Sequence, residues 1–177
     1  MRYFHVGILA AGAACSSAFA TQYLNQEQAQ KLMFPEASAF REQDLVLNTA
    51  QMQQVEVLAG LPARSVHWRV VAAYKSEALL GFMVLDDVIG KFELISYAVG
   101  LNPDASVRQV EILAYRESHG SEIRLPAWRR QFVGKRAQGG IVLGAGIVGI
   151  SGATLSCTHV TDGVRRIAAL AQVALAK

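Results

Sequence analysis

Between Val66 and Tyr115 the sequence carries four short runs rich in β-branched and aromatic residues: His67–Tyr74, Leu79–Leu85, Phe92–Val99 and Val107–Tyr115. Such residues suit a pleated, half-buried surface. Lys75-Ser76-Glu77, Asp86-Asp87 and Asn102-Pro103-Asp104 are the predicted turns between them. Connections this short permit antiparallel neighbours only, because a parallel pair needs a long crossover. A meander of this kind must cover at least one face. The flanking segments supply helices for the purpose, so the predicted class is α+β: an antiparallel sheet with packed helices in a single domain.

Asn25–Leu32 reads as a helix with Asn25 as its N-cap, stopped by Phe34-Pro35. Thr49–Ala59 reads as a second helix closed by Gly60-Leu61-Pro62. At the far end Thr161–Ala176 has apolar Val164, Ile167, Ala168, Ala171 and Leu175 at helical spacing. Ser118–Lys135 is a loop or short-helix region. We divide the chain into a helical lead-in, 21–62, and a core, 63–177.

Residues 1–20 have the form of a secretory signal. Arg2 is a minimal basic region, Val6–Ala14 is apolar, and Ala18-Phe19-Ala20 is a cleavage pattern. The apolar stretch falls short of the roughly 20 residues a membrane span needs. Export to the periplasm is therefore expected. Cys15 offers a lipoprotein alternative, less favoured because Gly12 stands where lipoproteins carry Leu. Cleavage after Ala20 leaves Cys157 as a lone thiol without a disulfide partner. It reads either as a small packed residue or as a redox group. The net charge is +3 and no basic run exceeds two residues, so a nucleic-acid footprint is not supported. His67, His119 and His159 share no metal-ligand spacing with Cys or carboxylates.

The chemistry concentrates in Ser151-Gly152-Ala153-Thr154-Leu155-Ser156-Cys157-Thr158. Small residues let a backbone approach a ligand, and four hydroxyls can donate to anionic oxygens. A helix follows, and a hydroxyl-rich turn at a helix N-terminus favours phosphate. Gly144-Ala145-Gly146-Ile147-Val148-Gly149 just upstream spells a dinucleotide fingerprint. Too little chain follows to build the parallel sheet that such a site requires. Those glycines are better read as permitting tight packing beneath a ligand. Ser156, His159 and Asp162 are too local for a hydrolase triad.

The string resembles the flavinylation motif of the FMN-binding domain family. That family includes the C subunit of the sodium-pumping NADH:quinone oxidoreductase and the G subunit of the Rnf complex. Two further blocks follow the family's order: Val110–Gly120, similar to a strand ending in Glu-Thr-Pro-Gly, and Trp128–Lys135, similar to a Gln-Phe-x-Gly-Lys segment. The resemblance implies FMN joined by a phosphoester to Thr154, with Ser151, Gly152, Ala153, Leu155 and Ser156 around it. It also implies a loop of Glu117, Ser118 and Gly120 touching the flavin. Two departures stand out. Val148 occupies the place of the family's usual Asp, and Ser118-His119 replaces Thr-Pro. Trp128 reads as a core anchor or a stacking ring, and Lys135 and Arg136 as surface charges or phosphate partners.

The expected function is that of a periplasmic flavoprotein carrying electrons, a carrier rather than a catalyst with its own substrate. A flavin transferase would attach the cofactor, and membrane or periplasmic redox proteins would exchange electrons with it. Two alternatives stand beside this one: non-covalent FMN binding or an FMN-dependent reductase, and a cofactor-less interaction module of the same fold.

Overall fold

The computed structural model describes residues 21–176; the expected signal segment and Cys15 lie outside them. The chain runs β1 (Thr21–Gln22), α1 (Gln26–Met33), β2 (Ala39–Val46), α2 (Thr49–Ala59), β3 (His67–Lys75), β4 (Ala78–Ile89), β5 (Leu94–Leu101) and β6 (Val107–Tyr115). Short helical turns follow, including α3 (Pro126–Arg129), and the closing helix is α4 (Thr154–Ala174). The strands form one antiparallel sheet in the order β1-β6-β5-β4-β3-β2. The expected α+β class holds.

Both faces of the central strands are covered. Val71, Ala73, Met83, Ala98 and Leu113 pack with Ala29, Met33 and Phe34 of the α1 region. On the other face Val70, Val84, Tyr97, Val99 and Ile112 meet α4 through Val160, Val164, Ile167 and Leu170. This double burial explains why β3 and β5 read as nearly continuous apolar runs rather than clean alternations. Trp128 and Phe132 extend the second core, edge to face with centroids 5.1 Å apart.

Both early helices are closed by capping boxes. Asn25 and Asn48 accept from the N–H groups of Gln28 and Gln51, whose side chains accept the cap N–H in return.

Three sequence expectations need correction. The lead-in is not only helical, because β2 pairs along its length with β3 and forms one edge of the sheet. Asp86 and Asp87 lie within β4 rather than in a turn. Asp86 stays there because its Oδ2 accepts the Tyr97 hydroxyl at 2.6 Å, with Arg64 at 3.7 Å. The reversal comes later, at Gly90–Glu93, where the Gly90 N–H donates to the Glu93 carbonyl. Finally, α4 begins at Thr154, not Thr161, so the hydroxyl string forms its first turns.

One contact fixes how α4 lies on the sheet. A Cβ at Gly163 would collide with the Tyr97 hydroxyl. Only glycine lets the helix backbone settle onto that buried ring.

Candidate functional site

An antiparallel meander places the β4–β5 turn and the exit from β6 at the same end of the sheet. The N-terminus of α4 opens at that end too. Tyr115, the last residue of β6, makes the join. Its hydroxyl donates to the His119 carbonyl at 2.5 Å and pairs with Ser156 Oγ at 3.1 Å. Burial pushes the Tyr115 hydroxyl up from its ordinary pKa, against the opposing bond from Ser156, so it remains a donor at neutral pH. Gly120 completes the seam at φ +88°. A Cβ there would stand 2.8 Å from both Ala153 Cβ and the Tyr115 hydroxyl.

These segments enclose an open cavity of about 330 Å³. Gly152, Ala153, Thr154, Leu155 and Ser156 line one side, and Glu117, Ser118 and His119 another. Lys91 and Phe92 of the β4–β5 turn close the third. Of the residues predicted around the phosphoester and in the flavin loop, all but Ser151 and Gly120 line this cavity; Ser151 is exposed just outside it, and Gly120 sits in the seam behind it.

The donor set suits a phosphate. Ala153 gives α4 no side-chain cap, and the first helical bond runs from the Cys157 N–H to the Ala153 carbonyl. The N–H groups of Thr154, Leu155 and Ser156 therefore have no intrahelical acceptor. They stand at the positive end of a 21-residue helix. Thr154 itself is exposed, and its carbonyl accepts from the Thr158 hydroxyl at 2.8 Å. Lys91 adds a cation on the cavity wall. A phosphorylated ligand fits the residues present.

Glu117 has a more specific place than the sequence indicates. Its Oε1 accepts the N–H groups of Phe92 at 2.6 Å and Glu93 at 2.9 Å. Partial burial raises its pKa. The N–H donors of Glu93, Phe92 and Lys91, with the Lys91 charge, outweigh that effect and leave the carboxyl below its ordinary value. It is an ionised brace for the turn. Ser118 Oγ pairs with His119 Nδ1 at 2.8 Å.

Other candidates lie elsewhere. Trp128 is 5% exposed, and its Nε1–H donates to the Val148 carbonyl at 2.9 Å, so it is a core anchor. Val148 is 71% exposed, and its N–H donates to Gln131 Oε1 at 2.7 Å. Arg136 pairs with Asp104, at the end of the meander opposite the cavity, and Lys135 is absent from the cavity wall. Cys157 is fully buried, and burial raises its pKa, which suits packing. His159 Nδ1 contacts the Ile89 carbonyl beside the β4–β5 turn. The G-x-G-x-x-G segment forms a compact loop in which a Cβ at Gly146 would strike the Gly140 carbonyl, while Gly144 is used for its positive φ of +80° rather than for close packing. Among the described residues there is no cluster of three His, Cys, Asp or Glu able to hold a metal. None of the described helices is long and apolar enough to cross a membrane.

Every cavity residue falls between Gly90 and Ala169. Residues 90–169 match the family model of the FMN-binding domain. The resemblance drawn from the motif blocks is borne out, and FMN is the cofactor this match supports. The matched segment begins at the β4–β5 turn and ends within α4. The crystal structure of Shewanella oneidensis NqrC resembles the chain with a TM-score of 0.48 and 16% identity, over 82% of this chain and 83% of that chain. No curated protein sequence matches the chain.

Sequence reasoning missed Lys91, Phe92 and Tyr115 as site residues. From sequence alone Phe92 looks like the start of a strand and Tyr115 like the end of one. The local signal was an apolar ring in the otherwise polar turn Gly90-Lys91-Phe92-Glu93.

Proposed function

We propose that this chain is an exported electron carrier whose FMN is attached through a phosphoester to Thr154. The observation that carries the proposal is the exposed Thr154 hydroxyl on the first residue of an uncapped helix, lining the cavity within the family match. The first-turn N–H groups would hold the phosphate oxygens, and Lys91 would offset their charge. When bound, the isoalloxazine supplies the redox chemistry. The protein orients it and sets how much water reaches it.

Attachment uses FAD as donor and a separate flavin transferase. Thr154 Oγ bonds to the phosphorus of the FMN half, and the pyrophosphate P–O bond breaks. AMP departs with the electron pair, and the hydroxyl proton passes to solvent. The signal-like residues 1–20 support a periplasmic setting, where membrane or periplasmic redox proteins would exchange electrons with the carrier.

The test is the intact mass of the exported chain after co-expression with a flavin transferase. A gain of one FMN less water, lost in Thr154→Ala, is expected. A yellow protein of unmodified mass would favour the non-covalent alternative, for which Val148 in place of the family's Asp is the motivating residue. An unmodified, colourless protein would remove the flavoprotein proposal.

A further inference from the structure

We infer that Phe92 is the aromatic face on which the flavin ring system stacks, held in place by Glu117 as a positioning residue. The inference rests on the FMN reading above and adds to it the group that receives the ring. Phe92 is 75% exposed and the one aromatic among the exposed large hydrophobics of the described residues. It lines the same cavity as Thr154.

The backbone carrying this ring is fixed. Glu117 Oε1 accepts the Phe92 and Glu93 N–H groups, and the Gly90 N–H closes the turn on the Glu93 carbonyl at 2.8 Å. The brace is packed against the turn, since a Cβ at Gly90 would stand 2.6 Å from the same carboxylate oxygen. An apolar ring held in water by a braced backbone is a platform for a flat ligand. The Lys91 ammonium lies 4.9 Å from the ring centroid and brings positive charge to that platform. The neighbouring rings are committed elsewhere. Tyr115 is 3% exposed with its hydroxyl engaged, and Trp128 is buried against Phe132.

The experiment uses the full chain loaded by a co-expressed transferase, with loading read by mass. Emission per bound flavin and visible circular dichroism are compared among the wild type, Phe92→Leu, Phe92→Trp and Glu117→Gln. Phe92→Leu should lose most of the visible dichroism of the bound flavin at equal loading. Phe92→Trp should keep a strong dichroism and emit severalfold less than the wild type, because an indole in contact with the ring gives an electron to the excited flavin, and Glu117→Gln should fall between the wild type and Phe92→Leu in dichroism. Unchanged dichroism in fully loaded Phe92→Leu, with Phe92→Trp as emissive as the wild type, would overturn the inference while leaving the FMN reading intact. Unchanged dichroism with slower reduction by a redox partner would overturn it too, assigning Phe92 to docking. Should Phe92→Leu fail to accumulate, Phe92→Trp decides: an altered dichroism with quenching supports stacking, and a spectrum identical to wild type overturns it. A wild type without flavin, covalent or otherwise, would overturn both readings.

Discussion

At Tyr115 a single hydroxyl joins three segments, the end of β6, the Glu117–Gly120 loop and the first turn of α4. Tyr115→Phe keeps the ring and leaves the His119 carbonyl and the Ser156 hydroxyl without this partner. Losing a buried, doubly bonded hydroxyl costs about 1–3 kcal/mol. A lowered urea midpoint at constant m would check it. Gly163 offers a second test. Gly163→Ala must displace Tyr97, and overpacking of this kind costs about 1–3 kcal/mol. Removing the obstructing hydroxyl with Tyr97→Phe should make the double variant less destabilised than the sum of the two singles. Simple additivity in a double-mutant cycle would refute the contact.

Elements were legible where their signals are local. The Asn25 cap, the Phe34-Pro35 stop and the bend at Gly60 placed α1 and α2 almost to the residue, and the structure adds Asn48 as the cap of α2. Asn48→Ala is accordingly expected to cost about 1 kcal/mol, read as a lower thermal or denaturant midpoint. Elements fixed by distant partners were not legible. Arg41-Glu42-Gln43-Asp44 are all exposed, so β2 has no apolar alternation; it is a strand because β3 offers it an edge, and its charges keep that edge from pairing further. Asp86 looks like a turn residue until Tyr97 lies opposite it on β5. Thr154, Ser156, Cys157 and Thr158 are weak helix formers, and the first turns of α4 are helical because Cys157 and Val160 are buried in the core. For the same reason the motif marked one wall of the cavity and left the Lys91-Phe92 wall to be found in three dimensions.

Across the whole molecule the two ends of the meander are tied differently. The cavity end is held by Tyr115 and Glu117, and the far end by Asp104 and Arg136. Asp104 accepts from the Ser106 hydroxyl and N–H and pairs with Arg136, which lowers its pKa from 3.8 to about 2. A carboxyl depressed in the folded state stabilises above its unfolded pKa and loses that contribution as pH falls through its folded one. Stability linked to Asp104 should therefore be complete above pH 3.8 and vanish on descent to about pH 2. Asp104→Asn should flatten the unfolding midpoint over that interval; an unchanged slope would count against the pairing. The pair is exposed, so the effect should be modest and shrink with salt.

Gly163 also has a consequence for how charge would move. With the helix backbone seated on the Tyr97 hydroxyl, α4 can neither lift from the sheet nor rotate without breaking the bond to Asp86. A cofactor attached there as proposed would hang from a fixed anchor rather than from a swinging arm. It would be a stationary relay, charged and discharged with little nuclear rearrangement, and its turnover would follow how closely and how long each visiting partner rests against the rim.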